Sequence, residues 1–337
     1  MLNDAKLEQL AMALQPIDSL LILPHNDPDP DAIASAVGLQ VLLSETYHVA
    51  AEVVYMGVIG RAENRALVEY LNRPLRRIDS GEVFYDYPVA LVDTQPGTGN
   101  NPFPGDLKPL MVLDHHPTQP LSAGAAFADI RETLGATSTM VSQYLREAGV
   151  SLTAHLATAL FYGIKTDTSG LARGVSQEDL EAYAFLQPLI DRIALANIET
   201  AQVPIRYFNS IDQAFHAARL YRNTIIAYLG DMDYPDLGAE VADLFLRLEG
   251  VRWVIIMGVF GKQLIISIRS LRSHSRSGKL IQRIVGEQGS AGGHGTMAGG
   301  LIPLVDGQDP RKLAAELEAR ALALLMGSSD INGQPII

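Results

Sequence analysis

Residues 19–31 read SLLILPHNDPDPD, and this stretch decides the fold because an apolar run leads directly into a cluster of charged side chains. The run at 19–23 has the length of a β-strand buried on both faces, and a helical pattern follows at 32–43. Similar apolar runs follow at 51–55, 89–92 and 110–113, with further helical patterns at 137–149 and 153–164. Short apolar runs that alternate with helices predict a parallel sheet and therefore an α/β N-terminal domain.

The second half of the chain is organised differently. With 337 residues, the chain exceeds the roughly 250–300 at which a single hydrophobic core stops growing. Helical spacing without strand signals extends from 176 to 221, interrupted at Pro188 and Pro204. Strand patterns then return, with a hairpin around Gly261-Lys262. We therefore predict an α/β catalytic domain at 1–190, a helical connector at 191–221 and a smaller α+β, substrate-binding domain at 222–337.

The composition excludes several kinds of site. The chain contains no Cys, which rules out disulfide scaffolds, thiolate zinc sites, iron–sulfur clusters and a Cys nucleophile. Its formal net charge of −12 argues against broad coating of long duplex nucleic acid, because that binding depends on neutralising phosphates. Any metal is therefore expected among His, Asp and Glu side chains.

The sequence also predicts a cytoplasmic protein. Its content of 47% hydrophobic and 19% charged residues is typical of a packed globular chain. The N-terminal segment contains Asp4 and Glu8 and shows helical spacing of its leucines, unlike a signal peptide. The longest apolar stretch, 253–260, is far shorter than the ~20 residues of a membrane span. We expect no membrane partner.

Three of the predicted strands lead into side chains that can bind metals. His25 follows the first strand, Asp93 follows the run at 89–92, and Asp114-His115-His116 follows the run at 110–113. Ligands of open α/β sheets bind at the carboxyl ends of the strands, so these side chains are expected to converge. Asp167 ends a predicted helix, where a negative charge opposes the helix dipole and requires a compensating cation.

The acidic loop before the helix at 32–43 has two interpretations. Its two prolines keep it extended, so Asp27, Asp29 and Asp31 cannot all point the same way and could serve two metal positions. Alternatively, Asp31 only caps the helix that begins at Ala32. For Asp93, the alternative interpretation is that it only forms a turn.

Six of these residues together provide four carboxylates and two imidazoles: His25, Asp29, Asp31, Asp93, His115 and Asp167. So many carboxylates at one place repel each other unless cations lie between them. Oxygen-rich ligation suits Mn²⁺ or Mg²⁺ better than copper, and pairs of such ions about 3.5–4 Å apart serve phosphoryl hydrolysis. The hypothesis is a binuclear metallo-phosphoesterase.

The second half also contains a basic segment. Residues 251–286 include seven Lys and Arg but no Asp or Glu. A loop at 292–300 follows, whose glycines allow backbone N–H groups to approach an anion. The alternative is a flexible turn beside a solvated run of charges. The loop also matches the G-x-G-x-x-A dinucleotide pattern, but only weakly, because a basic helix precedes it where that pattern requires a strand.

These motifs, spread over nearly the whole chain, resemble those of the DHH phosphoesterase superfamily, which is named for the signature seen here as Asp114-His115-His116. His25-x-x-x-Asp29-x-Asp31 is similar to the first motif of that superfamily. Asp93 is similar to its second motif and Asp167 to its fourth. Four spaced motifs make the resemblance specific.

The C-terminal part resembles the DHH-associated domain of the same superfamily. Gly292-Gly293-His294 with Ala298-Gly299 is similar to its glycine motif, from which Met297 and Gly300 depart. Arg269 lies where that domain tends to carry a phosphate-binding arginine. Because of these departures and the basic insert at 271–279, the motifs do not determine the identity of the substrate.

The resemblance implies two divalent ions, with Mn²⁺ as the expected ion and Mg²⁺ or Co²⁺ as alternatives. It implies that one ion is held by His25, Asp29 and Asp93, and the other by Asp31, Asp93, His115 and Asp167, so that Asp93 bridges them. It also implies catalytic roles for His116, Asp114 and Asp93. It implies substrate binding by Arg269, His294, Gly292, Gly293 and Gly295.

Within the superfamily, the size and layout are similar to the nanoRNase branch, which degrades short oligoribonucleotides and removes the 3′-phosphate of adenosine 3′,5′-bisphosphate. The expected partners are therefore short single strands or nucleotide phosphates and not long duplexes, and a homodimer is compatible with the sequence. One alternative is a phosphohydrolase of a cyclic dinucleotide, pyrophosphate or polyphosphate. The other is a catalytically silent nucleotide-binding sensor.

Overall fold

The computed structural model describes residues 4–72, 75–79, 81–271, 276–329 and 331–337. Its chain divides into two units, Met1–Ala201 and Gln202–Ile337. The first is built on a parallel sheet and the second on a mixed sheet. The predicted fold class, an α/β domain followed by a smaller α+β domain, is confirmed. In the part of the chain that is described, no helix combines the length and hydropathy needed to cross a membrane.

The sheet of the first unit has six parallel strands in the order β3-β2-β1-β4-β5-β6. The strands are β1 (Ser19–Leu23), β2 (Ala50–Tyr55), β3 (Arg76–Arg77), β4 (Val89–Val92), β5 (Met111–Asp114) and β6 (Phe127–Ile130). Leu20 and Ile22 of β1 pack into the core beneath the helices, whereas Leu21 and Leu23 pack on the opposite face. Both faces are therefore buried, which is why the strands appear in the sequence as uninterrupted apolar runs.

Seven α-helices are described in the first unit: α1 (Asp4–Leu14), α2 (Pro30–Tyr47), α3 (Ala62–Leu71), α4 (Thr137–Glu147), α5 (Ala154–Asp167), α6 (Gln177–Leu186) and α7 (Arg192–Glu199). Short 3₁₀-helices occupy Gly81–Tyr85 and Pro120–Gly124. Helix α2, most of which is buried, packs against α4 and α5. At Gly163 of α5, a Cβ atom would lie 2.4 Å from Ser138 Oγ and 3.1 Å from the Asp31 Cα, so glycine permits α5 to approach the start of α2.

The second unit contains a seven-stranded mixed sheet in the order β11-β12-β10-β9-β8-β7-β13. The strands are β7 (Arg219–Tyr221), β8 (Thr224–Asp231), β9 (Trp253–Phe260), β10 (Gln263–Ser270), β11 (Ser290–His294), β12 (Met297–Pro303) and β13 (Gln334–Pro335). The helices are α8 (Ile205–Ala217), α9 (Leu237–Phe245), α10 (Ser277–Val285) and α11 (Pro310–Met326), with a 3₁₀-helix at Gly286–Gln288. Helices α8 and α9 pack on one apolar core, and α10 and α11 on another. The hairpin predicted around Gly261-Lys262 joins β9 to β10.

The predicted connector at 191–221 is divided between the two units. Helix α7 packs against α3 and α5, whereas α8 packs against β8, and the chain passes from one unit to the other after Ala201. Residues 219–221 form a strand that pairs with β8, instead of continuing the helical segment. A three-residue strand is too short to show a period in the sequence, so only its pairing reveals it.

The glycine-rich stretch at 292–300 was predicted as a loop, and the structure corrects this. Its two halves belong to β11 and β12, which pair with each other in an antiparallel hairpin, and β12 pairs in turn with β10. A Cβ atom on Gly278 of α10 would lie 2.0 Å from the Gly293 carbonyl oxygen, so the glycines here permit close backbone packing. Glycine carries little strand signal, which is why the sequence pattern missed the hairpin. The basic insert includes residues 272–275, which lie outside the described residues.

Candidate metal centre

The candidate site lies where the sheet of the first unit changes direction. The chain passes from β1 to β2 on one side and later returns to β4 and β5 on the other, so the point of reversal lies between β1 and β4. His25 follows β1, Asp93 follows β4, and His115 follows β5. Helix α2 begins beside them, and Asp167 ends α5. This is the edge at which open α/β sheets bind ligands.

One group of side chains surrounds His25. Its Nε2 atom lies 3.5 Å from Asp93 Oδ2 and 3.8 Å from Asp29 Oδ1, and each residue offers one ligand atom within 4.8 Å of the others. His25 Nδ1 lies 2.8 Å from the carbonyl oxygen of Asn26. A proton on Nδ1 would therefore be hydrogen-bonded, which directs the lone pair of Nε2 toward the two carboxylates.

A second group surrounds His115. Its Nε2 atom lies 3.2 Å from Asp167 Oδ2 and 3.5 Å from Asp93 Oδ1, and Asp31 offers a further carboxylate oxygen within 4.8 Å. Asp93 therefore faces His25 with one oxygen and His115 with the other. A third combination of ligand atoms, from Asp93, His115 and His116, meets the same distance limit. The structure thus brings all six predicted metal-binding residues together.

His115 itself provides a test of whether the site fits a metal ion. Its Nδ1 lies 3.1 Å from the Leu134 carbonyl oxygen, to which it donates in the matching tautomer. Its Nε2 is buried and has no well-formed hydrogen bond, despite the nearby carboxylates. A buried ring nitrogen held by a backbone carbonyl on its other side, and surrounded by carboxylates, is the arrangement of a metal-ligating histidine.

Asp31 does not cap α2, so the alternative that it acts only as a cap is wrong. The N-cap is Asp29, whose Oδ1 accepts a hydrogen bond from the Ala32 amide at 3.0 Å. The fully buried carboxylate of Asp31 instead accepts the backbone amides of Thr137 at 2.7 Å and Ser138 at 2.8 Å. These amides begin α4, where unsatisfied N–H groups favour a negative charge. Asp31 therefore fixes α2 to α4 as well as facing the site.

Asp93 is more than a turn residue. Its backbone is left-handed, with φ of +58°, and its side chain is only 3% exposed. Oδ1 accepts a hydrogen bond from Thr137 Oγ1 at 2.8 Å, and the backbone amide donates to the Leu113 carbonyl at 2.9 Å. The turn at the end of β4 thus serves to hold a buried carboxylate between two histidines.

The negative charge is unequally distributed among the carboxylates. Burial raises the pKa of Asp31 well above its ordinary value, and the charges of Asp93 and Asp167 add to this effect. Burial also raises the pKa of Asp167. Burial acts in the same direction on Asp93, but its hydrogen bond to His25 and the charges of the other histidines hold its pKa well below the ordinary value. Asp93 therefore carries a full negative charge at neutral pH.

The pKa values of His25 and His115 are raised, because the nearby carboxylates outweigh the effect of burial. Burial lowers the pKa of His25, but the contacts with the Asp29 and Asp93 carboxylates outweigh burial and raise the pKa well above its ordinary value. The pKa of His115 is raised in the same way, because its close contact with Asp167 and the charge of Asp93 outweigh the effect of burial. Without added cations, the raised pKa values favour the protonated form of both rings.

Metal binding is therefore expected to release protons and to tighten as the pH rises. Below their raised pKa, His25 and His115 hold protons that a metal must displace, so the Kd for Mn²⁺ should fall between pH 6 and pH 8. Calorimetric titration in two buffers of different ionisation enthalpy measures the protons released. Equal heats in both buffers, together with a Kd independent of pH, would contradict this expectation.

His116 belongs to a second set of contacts at the same edge. Its Nδ1 lies 2.8 Å from Asp114 Oδ1, and its backbone amide donates to the same oxygen at 3.2 Å. Burial lowers the pKa of His116, but the bond to Asp114 and the charge of Asp93 raise it above its ordinary value. Asp114 is fully buried and belongs to none of the metal-ligating groups among the described residues. It therefore orients His116, whereas His115 points into the cluster.

The predicted substrate-binding residues lie in the second unit. Arg269 is the seventh residue of β10, and its Nε donates to Asp243 Oδ1 of α9 at 2.7 Å. Gly292 and Gly293 lie in β11, and Gly295 lies in the turn to β12. His294 ends β11, but its side chain lies outside what is described.

Sequence reasoning missed the residues that support the cluster. Thr137 and Ser138 supply the amides for Asp31, and the Leu134 carbonyl holds His115. The only available signal was the run of small polar residues at the start of α4, which is typical of a helix N-terminus. Their distance from Asp31 in the sequence concealed the contact.

Comparisons with known sequences support the pattern of motifs. Residues 19–164 match the DHH family, N-terminal domain. An uncharacterized protein of Methanocaldococcus jannaschii is 34% identical over 287 residues, which is 85% of this chain and 58% of that protein. The chain thus spans little more than half the length of that relative. The resemblance inferred from the motifs is confirmed.

Two further relatives carry names that refer to phosphorus chemistry. The bifunctional oligoribonuclease and PAP phosphatase NrnA of Thermus thermophilus is 29% identical over 317 residues, covering 89% of this chain and 90% of that protein. A probable manganese-dependent inorganic pyrophosphatase of Streptococcus agalactiae is 27% identical over 158 residues, covering 45% of this chain and 49% of that protein.

A solved structure shares the whole fold. The crystal structure of an exopolyphosphatase-related protein from Bacteroides fragilis aligns with a TM-score of 0.69 at 16% identity, covering 96% of each chain. At this identity, the comparison establishes the fold alone.

Proposed function

Because residues 19–164 match the DHH family, N-terminal domain, we propose that this chain is a metal-dependent phosphoesterase acting on short oligoribonucleotides, on the 3′-phosphate of adenosine 3′,5′-bisphosphate, or on both. The observation that carries the proposal is the cluster of four carboxylates and two imidazoles, with Asp93 facing both histidines. The similarity to NrnA over 90% of that protein supports the choice of substrate.

The proposed ligands are those implied by the motifs. His25, Asp29 and Asp93 would hold one divalent ion, and Asp31, Asp93, His115 and Asp167 the other. The mixture of carboxylate oxygens and imidazole nitrogens suits Mn²⁺, with Mg²⁺ or Co²⁺ as alternatives, and a relative carries manganese in its name. Such ions supply Lewis acidity and lower the pKa of water when bound.

The side chains around this site have separate tasks in the proposed reaction. Asp93, fixed by Thr137, keeps its charge between the two histidines. His116, held by Asp114 through Nδ1, donates a hydrogen bond to a phosphate oxygen as negative charge develops there. Burial lowers the pKa of His116, but the bond to Asp114 and the charge of Asp93 raise it, which favours the protonated ring that this task requires.

The second unit is proposed to bind the substrate phosphate. Arg269 donates through Nε to Asp243, which holds the guanidinium group in one orientation. The glycines of the β11–β12 hairpin are proposed to let backbone N–H groups approach an anion. Gly292, Gly293, Gly295 and His294 are the proposed contacts there.

Replacing Arg269 with alanine is expected to raise KM by about 10- to 100-fold and to leave metal content unchanged, because a charged hydrogen bond contributes about 1.5–3 kcal/mol. Steady-state kinetics and elemental analysis measure the two quantities. Arg206→Ala is a matched control, since Arg206 also forms an ion pair, with Asp233, in the second unit. A loss of metal in the Arg269 variant would show that this residue has another role.

The experiment that tests the proposed function is a comparison of substrates with Mn²⁺. Hydrolysis of pApA, adenosine 3′,5′-bisphosphate, pyrophosphate and a cyclic dinucleotide would be measured side by side. We expect the first two to be hydrolysed fastest. Faster hydrolysis of pyrophosphate would favour the chemistry named for the Streptococcus relative, although that similarity covers only 45% of this chain. Nucleotide binding without turnover would identify a silent sensor.

A further inference from the structure

Gln95 is a fully buried side chain two residues after Asp93. Its amide joins the loop after β4 to the loop after β5. Nε2 donates to Asp114 Oδ2 at 2.7 Å and lies 3.3 Å and 3.2 Å from the carbonyl oxygens of His116 and Pro117. One side chain therefore contacts the whole turn that carries the histidine pair.

The surrounding groups determine which way the amide points. Oε1 accepts hydrogen bonds from the Gln119 backbone amide at 2.7 Å and from Ser122 Oγ at 2.8 Å. A backbone amide can only donate, so the amide oxygen must face Gln119 and the NH₂ group must face Asp114. The reversed orientation would place two donors against each other in a buried site.

The choice of a neutral donor has a consequence for Asp114. Both its oxygens are occupied, Oδ2 by Gln95 and Oδ1 by the backbone amide and ring of His116. A Lys or Arg in place of Gln95 would form an ion pair and draw the carboxylate charge away from the ring. The amide satisfies the buried oxygen and leaves the full charge to act on His116 Nδ1.

We propose that Gln95 is the positioning residue of His116, holding Asp114 and the turn at 116–119 so that the ring keeps its Nδ1 proton toward Asp114 and one orientation toward the phosphate. This inference rests on the proposed phosphoesterase activity, in which His116 contacts the substrate. It assigns to Gln95 no contact with metal or substrate.

Two variants and one control test the proposal. Gln95→Glu keeps an acceptor for Gln119 and Ser122 but places a carboxylate oxygen against Asp114. Gln95→Met keeps a side chain of similar length but removes all of its hydrogen bonds. It provides an independent test if the Glu variant does not fold. Ser122→Ala removes one buried bond to Gln95 Oε1 and leaves the contact with Asp114 in place.

We expect kcat of the Gln95 variants to fall by about 10- to 100-fold, as for residues that orient a ligand or catalytic group from behind. KM should stay within about twofold and Mn²⁺ content should equal that of the wild type, while Ser122→Ala should keep kcat within about twofold. A wild-type kcat in the Gln95 variants, a loss of metal, or an equal loss of kcat in Ser122→Ala would each overturn the proposal.

A second measurement separates this proposal from the proposed function. If the wild type hydrolyses none of the four substrates, the proposed function fails, but ring ¹⁵N shifts of His116 still report on Gln95. The spectra would be recorded in protein equilibrated with Mg²⁺, because paramagnetic Mn²⁺ broadens nearby signals. The signals that are missing from the spectrum of His116→Gln identify those of His116. We expect a proton on Nδ1 in the wild type and a changed Nδ1 shift in the Gln95 variants. Unchanged shifts would overturn the positioning role.

Discussion

Replacing Asp93 with asparagine is expected to lower metal-dependent hydrolysis by at least about 1,000-fold, or about 4 kcal/mol. The two oxygens of Asp93 lie 3.5 Å from His25 Nε2 and 3.5 Å from His115 Nε2, so its charge serves both groups. Stabilisation of transition-state charge at metal sites is worth several kcal/mol, which sets the size of the loss. Phosphate release with Mn²⁺ measures it.

The Asp93→Asn variant should remain folded. Asparagine tolerates the left-handed backbone of this position, at φ +58°, and its side-chain oxygen can still accept from Thr137 Oγ1. Because the histidines hold the pKa of Asp93 below its ordinary value, its charge stabilises the fold, and thermal unfolding in chelator should remain cooperative at a somewhat lower Tm than in the wild type. Asp106→Asn makes the same change at an exposed position and should keep full activity. Normal turnover by the Asp93 variant would refute the binuclear site.

The second large effect distinguishes two carboxylates in the same turn of α2. Asp31→Asn is expected to lower the free energy of unfolding by about 1–3 kcal/mol, because the lost amide bond outweighs the relief of repulsion from Asp93 and Asp167, and Asp29→Asn, which weakens only a contact with His25, by less than about 1 kcal/mol. Both oxygens of Asp31 accept backbone amides of α4, so an asparagine NH₂ would face a buried N–H donor. Asp29 accepts one amide as an N-cap, a role that asparagine fills equally well.

Urea unfolding in chelator at pH 8 measures this difference without a contribution from metal. Metal titration of the same two proteins is expected to show weaker binding in both, because each variant removes one proposed ligand. Comparing Asp31→Asn with Asp29→Asn thus distinguishes an effect on the free energy of unfolding from an effect on metal binding. Equal stability of the two variants would mean that the amides of α4 contribute little to holding Asp31.

The strand ends could be predicted from the sequence because their pattern is local. Parallel strands buried on both faces appear as apolar runs, and the residue that follows each run lies at the carboxyl edge of the sheet. His25, Asp93 and the pair at 115–116 were placed in this way, and the structure brings them together. Boundaries shifted by a few residues, as at β5, which ends at Asp114.

The contacts that orient the cluster could not be predicted in this way. Asp31 contacts amides more than 100 residues away in sequence, and Gln95 contacts a residue 19 positions away across two loops. Neither contact leaves a period or spacing in the sequence. The strand hairpin at 290–303 was missed for a related reason, since its pairing with β10 compensates for the weak strand signal of its glycines.

The sequence by itself determined that buried strands alternate with helices in the first unit, and which titratable side chains reach the edge of the first sheet. Only the tertiary structure decided that Asp29 caps α2, that Asp31 binds the start of α4, that Asp93 faces both histidines, and that Gln95 holds Asp114. The physical reason is the range of the interactions. Strand and helix patterns arise from burial along a few neighbouring residues, whereas buried carboxylates take their donors from whichever segment the fold places beside them.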